Sequence, residues 1–535
     1  MTATGQQEMV TLTIEGCEVT VPKGTTILEA AKRVGIVIPH YCYHPSLPIA
    51  GVCRMCLVEV EGAPKLMISC HTQVAEGQKV RVYSDTALKA RESVLEFLLI
   101  NHPLDCPICD QAGECELQNY VFREGRARTR YTPTYSKRFD PVEDFGPDIL
   151  YVPNRCILCT RCVRFMEHVA DDDIISVAER GDRAFIGIHP ERQLDHPWAG
   201  NVVDLCPVGS LLSKDFLHKA RAWEVDRTAS VCTGCSQGCN IVLETRGNSV
   251  VRVHPRTNLA VNRYFMCDHG RLNYRGFNRG DRLEAPLIKD GAALVATDWD
   301  HVLERVAHIV KGSSGTAVAL VSPTVSTEAL FLLRQLLADF TVKGAFQVEQ
   351  VAGEAPLPGV PGLALRSERA PNATGARLLG YSGGADDDYA AALAALDGAS
   401  VAIVLGELPS GVTREALERA AHLIYLGTVL EDAVRGAAVV LPITNTAEED
   451  GSFVNCDHRV QRYFQAKSGP GMARPAWWVL SELLAELGRG EPLSDAAHAF
   501  RLLAERESAF AGMSYETVGY GGALAARSSA AEVSA

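Results

Sequence analysis

The chain is 535 residues long, 47% hydrophobic and 22% charged, with a formal net charge of −13. That length asks for roughly three to five domains, and that balance excludes disorder, a collagen helix or a coiled coil as the main state. The excess of 65 Asp+Glu over 52 Lys+Arg makes the chain a poor candidate for gripping nucleic acid by its backbone.

Residues 9–22 read as two alternating strands, Val10, Leu12 and Ile14 followed by Val19 and Val21, joined by a turn at Glu15-Gly16. Thr25-Thr26 caps a helix that places Ile27, Ala31 and Val34 on one face, and Gly35 stops it. Leu57 to Val60 and Lys65 to Ile68 flank a turn at Gly62 and make a second hairpin. Strands and one helix in this order form a small α+β domain. Residues 86–101 form a helix with Leu88, Leu95, Leu98 and Leu99 on one face, ended by Pro103. Residues 103–225 are rich in Cys, Pro, Arg and Asp with weak periodicity, so little apolar burial is expected and bound metal must hold the segment.

Beyond about residue 290 the character changes. Val302, Val306 and Ile309 mark a helix, Ala317 to Val321 a strand, and Ala329 to Leu337 another helix. Val401 to Leu405, Leu423 to Leu426 and Ala438 to Leu441 are continuous apolar strands, so a parallel α/β sheet is expected. The small-residue tail after about 521 reads as disordered, and Gly519-Tyr520-Gly521-Gly522 as a loop with no nucleotide role. No run of 18 apolar residues appears and the N-terminus lacks a signal-peptide pattern, so a cytoplasmic location is expected.

Of the 17 cysteines, 16 lie between Cys17 and Cys267, which points to metal and away from disulfides. Cys42, Cys53, Cys56 and Cys70 follow C-x10-C-x2-C-x13-C, the plant-type [2Fe–2S] pattern with altered gaps, with zinc as the alternative. His102, Cys106, Cys109 and Cys115 form a second set that suits either a [4Fe–4S] cluster or zinc. By itself His102 reads equally as a helix-terminal partner of the dipole. Cys156, Cys159 and Cys162, with Cys206-Pro207 after a gap of 43 residues, have the bacterial [4Fe–4S] spacing. Cys232, Cys235, Cys239 and, after a gap of 27 residues, Cys267 are a fourth set. Cys17, outside the pattern, is expected in the core, and Cys456 is left over. Arg and Lys near these sets can stabilise anionic clusters. Several such carriers in series transport electrons and make no bonds.

With these motifs, in the order HPLDCPICDQAGECELQ (102–118), NRCILCTRCVRF (154–165), DLCPVGS (204–210) and CTGCSQGCN (232–240), the chain resembles the large iron–sulfur subunit of bacterial NADH-quinone oxidoreductase, respiratory complex I. The resemblance covers roughly residues 9–280. It implies one [2Fe–2S] and three [4Fe–4S] clusters, makes His102 a cluster ligand, and puts the last cluster off the main electron path. The segment AAVVLPITNTAEEDGSFVNCDHRVQR (437–462) resembles a molybdopterin-oxidoreductase cradle, but has Asp457-His458 where that family reads Glu-Gly. With no cysteine between 267 and 456, no molybdenum or tungsten cofactor is expected.

The expected fold is multidomain α+β and α/β. It comprises a β-grasp [2Fe–2S] ferredoxin-like domain (1–85), a [4Fe–4S] domain with one histidine and three cysteine ligands (86–125) and a ferredoxin-type [4Fe–4S] domain (126–225), with sparse secondary structure around the clusters. A molybdopterin-oxidoreductase-type [4Fe–4S] domain (226–282), a shortened molybdopterin-oxidoreductase-like α/β domain (283–490) and an extension (491–535) follow. The resemblance implies a subunit of an ion-translocating NADH:quinone oxidoreductase without a complete active site of its own. Its implied partners are a flavin- and NADH-binding subunit and other peripheral-arm iron–sulfur subunits. Membrane attachment, at the cytoplasmic face of the plasma membrane, comes only through partner subunits. The competing readings are a subunit of an NAD-linked formate dehydrogenase or a hydrogenase, and a zinc-stabilised scaffold.

Overall fold

The computed structural model describes residues 8–131, 140–383, 386–409 and 411–526. The chain forms two compact units: one of Met1–Val225 with Leu357–Pro361, the other of Asp226–Pro356 with Gly362–Ala535.

The first unit begins with a five-stranded sheet in the order Cys17–Pro22, Met9–Ile14, Lys79–Arg81, Leu57–Val60, Met67–Ile68. Val10, Leu12, Ile14, Val19 and Val21 point into its core, as their alternation requires. Glu15 (φ 50°) and Gly16 (φ 82°) make the left-handed turn between the first two strands. Helix Ile27–Arg33 starts at Thr26, whose hydroxyl accepts from Glu29 N, and buries Ile27, Leu28, Ala30 and Ala31. The expected strand at 65–68 shrinks to Met67–Ile68. Cys17 is exposed, against the expectation of a core cysteine. It has the same parity as Val19 and Val21, but it sits at the hairpin tip, beyond the reach of the core.

Helix Asp85–Asn101, capped by Ser84, turns its Ala87, Arg91 and Leu95 stripe inward. Leu88, expected on that face, is 36% exposed, because it lies about 100° round the helix from Ala87. Buried Arg91 takes the inward position and donates to the carbonyls of Val82 (2.7 Å) and Leu57 (3.2 Å), with Glu124 at 3.3 Å. The next segment departs from expectation. Residues 140–225 do bury apolar surface: Phe145, Phe165, Trp198 and Val202 are fully enclosed. Short strands (Ile149–Tyr151, Ile175–Ala178, Phe185–Ile188, Leu211–Ser213) and long loops bring these side chains together. Their spacing follows neither a helix nor a strand period, which is why the sequence pattern does not reveal the core.

The second unit opens with the antiparallel strands Asp226–Val231, Asn240–Arg246 and Ser249–Pro255. Its main sheet has eight strands, in the order Ala293–Ala296, Leu287–Asp290, Val439–Pro442, Leu423–Gly427, Val401–Leu405, Thr316–Val321, Thr341–Phe346, Ser382–Gly383. The last six are parallel, and the first two add antiparallel at one edge. Ala317, Ala319, Val321, Ile403 and Leu405 face one core, and Val318, Leu320, Ala402 and Val404 the other. Burial on both faces explains the continuous apolar runs. Helices Trp299–Gly312, Thr327–Leu336, Ala476–Glu486 and Ala496–Arg506 contribute to the first core. The tail is ordered further than expected: Ala523–Leu524 pairs with Arg459–Val460, and Ala525 is buried. Backbone pairing overrides the weak local propensity of small residues there. Residues 527–535 of the expected disordered tail lie outside the described residues, as do residues 1–7.

Candidate metal centres

The first set lies on the loops that leave and re-enter the five-stranded sheet. Gly51 (φ 64°) and Arg54 (φ 59°) curl the loop so that the backbone N–H groups of Val52 and Cys53 turn toward Cys42 Sγ. The Cys42 thiol lies within hydrogen-bond reach of those of Cys53 and Cys70, and Cys56 within reach of Cys70. Proton sharing in this quartet holds Cys42 far below the usual thiol range and Cys56 at about 7, while it drives Cys53 and Cys70 far up.

The second set lies between two helices. His102 ends helix Asp85–Asn101 and leaves the helical conformation (ψ 127°), as the following Pro103 demands, and its Nδ1 is buried. Cys115 is the N-cap residue of helix Glu116–Glu124. Burial raises Cys109, and raises Cys115 to about 11, and the charges of Cys106 and Cys109 add to the rise at Cys115. The loop after Cys206 supports this set: a Cβ on Gly209 would stand 2.2 Å from Cys109 Sγ and 3.0 Å from Gln111 Cβ. Such a Cβ would force the Cys109 thiol away from the place it now takes beside Gly209. Gly209→Ala is therefore expected to remove about four irons per chain, with the fold retained by circular dichroism. Full iron content in that variant would contradict the assignment of Cys109.

The third set lines a cavity of its own. Cys156, Cys159, Cys162 and Cys206, with Tyr151, Ile186 and Leu211, line one small cavity of about 20 Å³. Leu158 (φ 51°) and Thr160 (φ 60°) are left-handed, which winds the Cys156–Cys162 run tightly and lets Leu158 N donate to Cys156 Sγ at 3.4 Å. Burial pushes Cys159 to about 12, Cys206 to about 11 and Cys162 well above its usual range, and each is raised further by the charges of its neighbours in the set.

The fourth set lies in the second unit. Cys232 Sγ accepts from Gly234 N (3.4 Å), and Cys267 Sγ caps helix Asp268–Leu272 through Gly270 N (3.5 Å). A Cβ on Gly270 would meet Cys232 Sγ at 2.7 Å. Burial raises Cys232 to about 12 and Cys239 and Cys267 well above the usual range. The 455–461 segment braces the loop between Cys235 and Cys239: Asn455 Nδ2 donates to Gln237 O (3.2 Å), Gln461 Nε2 to Gly238 O (2.8 Å) and Cys456 N to Ser236 O (2.8 Å). His458, at the expected glycine position of the cradle pattern, keeps the left-handed turn (φ 60°).

Among the described residues, no three His, Cys, Asp or Glu side chains have the spacing of a site for a single metal ion. The donor sets themselves, four thiols or three thiols and an imidazole, suit iron–sulfur clusters. In the third and fourth sets, where burial raises the thiols, a bound cationic core would favour their thiolate form.

Buried arginines link these sets, and the cysteine spacing does not disclose them. Arg161 donates to the carbonyls of Tyr43 (2.9 Å) and Leu205 (3.3 Å) and pairs with Glu116. Arg164 donates to the carbonyls of Cys42 (2.5 Å), Cys159 (3.1 Å) and Pro48 (2.5 Å). Arg155 reaches Asp105 and the carbonyl of Gly209. The only signal in the sequence is the density of arginine beside the cysteines of residues 154–165.

Five family models match in chain order. They are the 2Fe-2S iron-sulfur cluster binding domain (7–85), the NADH-ubiquinone oxidoreductase-G iron-sulfur binding region (91–130), and the ferredoxin-like domain of NADH-quinone oxidoreductase subunit 3 (146–212). The molybdopterin oxidoreductase Fe4S4 domain (225–279) and molybdopterin oxidoreductase (391–486) follow. The fold is thus a 2Fe-2S ferredoxin-like domain, 4Fe-4S regions and a molybdopterin-oxidoreductase-like α/β domain. Among curated proteins, the chain is 42% identical over 330 residues to the G subunit of NADH-quinone oxidoreductase from Rickettsia bellii (62% of this chain, 48% of the relative). It is 41% identical over 330 residues to the corresponding protein of Rickettsia felis (62% and 49%). The chain thus spans about half the length of the curated relatives it matches. A solved NAD+-reducing [NiFe]-hydrogenase chain is 31% identical, with a TM-score of 0.36, over 39% of this chain and 90% of that one.

Proposed function

We propose that this chain, related to the G subunits of NADH-quinone oxidoreductase, is the electron-conducting iron–sulfur subunit of such a complex. In this reading it takes electrons from a flavin-bearing, NADH-oxidising partner and passes them toward quinone through neighbouring iron–sulfur subunits. Cys42, Cys53, Cys56 and Cys70 hold a [2Fe–2S] cluster. His102 with Cys106, Cys109 and Cys115; Cys156, Cys159, Cys162 and Cys206; and Cys232, Cys235, Cys239 and Cys267 each hold a [4Fe–4S] cluster. The observation that carries the reading is that Cys206, after a gap of 43 residues, meets the local run Cys156, Cys159 and Cys162 at one cavity. Three of the four sets lie in one compact unit, as carriers in series require.

The clusters supply one-electron redox chemistry when bound. The chain supplies the rest: thiolates that fix each cluster, backbone N–H groups turned toward the sulfurs, buried arginines that offset the negative charge, and loops that keep out water. The second unit carries no molybdenum or tungsten; it is scaffold, and it braces the fourth set. Among the described residues, no helix is long and apolar enough to cross a membrane. Attachment at the cytoplasmic face of the membrane comes through partner subunits.

Iron, sulfide, zinc, molybdenum and tungsten per chain, measured on anaerobically purified full-length protein, test this reading. About 14 iron atoms are expected, with neither molybdenum nor tungsten. About ten would leave one [4Fe–4S] set empty. Zinc in place of iron would replace the electron carrier by a scaffold, and stoichiometric molybdenum or tungsten would make the second unit an enzyme.

A further inference from the structure

The fourth cysteine set has a wall that does not come from its own motif. The segment 366–369 lies outside residues 225–279, to which the Fe4S4 model is confined. It runs along the Cys235 loop: Glu368 O accepts from Ser236 N at 2.9 Å, and the backbone N–H of Arg366 donates to Cys235 Sγ. Arg366 Nε donates to Gln237 Oε1 at 2.9 Å, which fixes the middle of the loop between Cys235 and Cys239. Arg369 is held by its own N–H on Glu349 O at 3.1 Å, and its guanidinium charge acts on Cys235 and on His269.

The two arginines differ in one respect. Arg366 has a carboxylate partner, Glu354, at 3.2 Å. Among the described residues Arg369 has none, and its Nε and Nη1 are enclosed without a hydrogen-bond acceptor. An enclosed guanidinium edge with no anion beside it carries a desolvation cost. A group of opposite charge at Cys235 would remove that cost.

We propose that Arg369, supported by Arg366, is the residue that raises the reduction potential of the fourth cluster. The inference rests on the four-cluster reading above. A cluster held by four thiolates is anionic and gains a further negative charge on reduction. A fixed cation beside it, in surroundings of low dielectric constant, stabilises the reduced form more than the oxidised form. An N–H donated to a cluster sulfur acts in the same direction. This gives the molybdopterin-like half a function without molybdenum: it supplies the electrostatic surroundings of a cluster whose ligands lie elsewhere in the sequence. Arg369, with no carboxylate to neutralise it, has the larger effect of the two.

The test is a redox titration followed by EPR on the full chain, with the fourth signal assigned by its loss in Cys267→Ala. At the midpoint of the unmutated protein, Arg369→Gln is expected to be about tenfold less reduced, a shift of ~59 mV to lower potential. Arg366→Gln moves it less, Arg369→Lys restores most of the shift, and the other three clusters do not move. An intact fourth signal at the unmutated midpoint in Arg369→Gln overturns the proposal. If that variant loses the cluster, Arg369→Lys decides. Retention at the unmutated midpoint supports a role for charge, whereas loss in both shows that Arg369 only packs, and overturns it. An unmutated chain with only about ten irons fails at an earlier step: it overturns the four-cluster reading, and the iron count alone reveals this before any variant is made.

Discussion

Arg164→Met is expected to empty the first and third cysteine sets together, with a fall of about six irons per chain and a lower melting temperature for the first unit. Arg164 is 8% exposed, and its guanidinium carries the carbonyls of Cys42 and Cys159, two cysteines that belong to different sets. A methionine of similar length fills the space and donates nothing. Two buried carbonyls then lose their partner, at about 1–3 kcal/mol each. Removing a desolvated charge gives some of this back, since burial already lowers the Arg164 pKa. The carbonyls decide the outcome, because both lie in loops without regular pairing that would otherwise fix the sulfurs. Arg164→Lys keeps the charge but not the fork, so it should fall between the two. Unchanged iron and melting temperature in Arg164→Met would refute the clamp.

The second large effect concerns pH and the second unit. Glu449 is buried, receives the hydroxyls of Thr444 (2.7 Å) and Tyr463 (3.1 Å), and has Glu328 nearby. Burial first, and then the charge of Glu328, raise its pKa from 4.5 to about 8. The folded chain therefore keeps a proton that the unfolded chain releases. As the pH rises from 4.5 to about 8, stability falls by about 1.4 kcal/mol per pH unit, some ~5 kcal/mol across the interval, and then levels off. Glu449→Gln should match the parent near pH 4.5 and exceed it at pH 8. The slope that remains belongs to Glu328, which burial also raises and which takes hydrogen bonds from Ser452 and Tyr515. Urea unfolding of the second unit from pH 5 to 9 measures this; parallel profiles for parent and variant would show that Glu449 ionises normally.

The elements that were legible in the sequence share a cause. Thr316–Val321, Val401–Leu405 and Leu423–Gly427 are runs buried on both sheet faces, so their apolar character has no gaps. The hairpin Met9–Pro22 alternates cleanly, because one face is core and the other is not. The cysteine pattern was legible because the spacing that winds Cys156 to Cys162 around one cavity is local. Local patterns failed where the partner was distant. Ala523–Leu524 is ordered by Arg459–Val460, Trp198 is enclosed by loops without a period, and Cys17 has inward parity at a place where the core has ended.

The sequence by itself determined which residue types can hold metal, in what spacing, and that a cysteine-dense half precedes an α/β half. These are properties of single side chains and of neighbours within a turn, and a linear pattern records them. Only the tertiary structure decided what surrounds those thiols: Arg164 bridging the backbone of Cys42 and Cys159, Gly209 yielding space to Cys109, and Arg366 and Arg369 along Cys235. Charge, hydrogen bonding and the exclusion of water act through space over a few ångströms. The residues that supply them come from segments far apart in the chain, and no spacing in the sequence encodes their meeting.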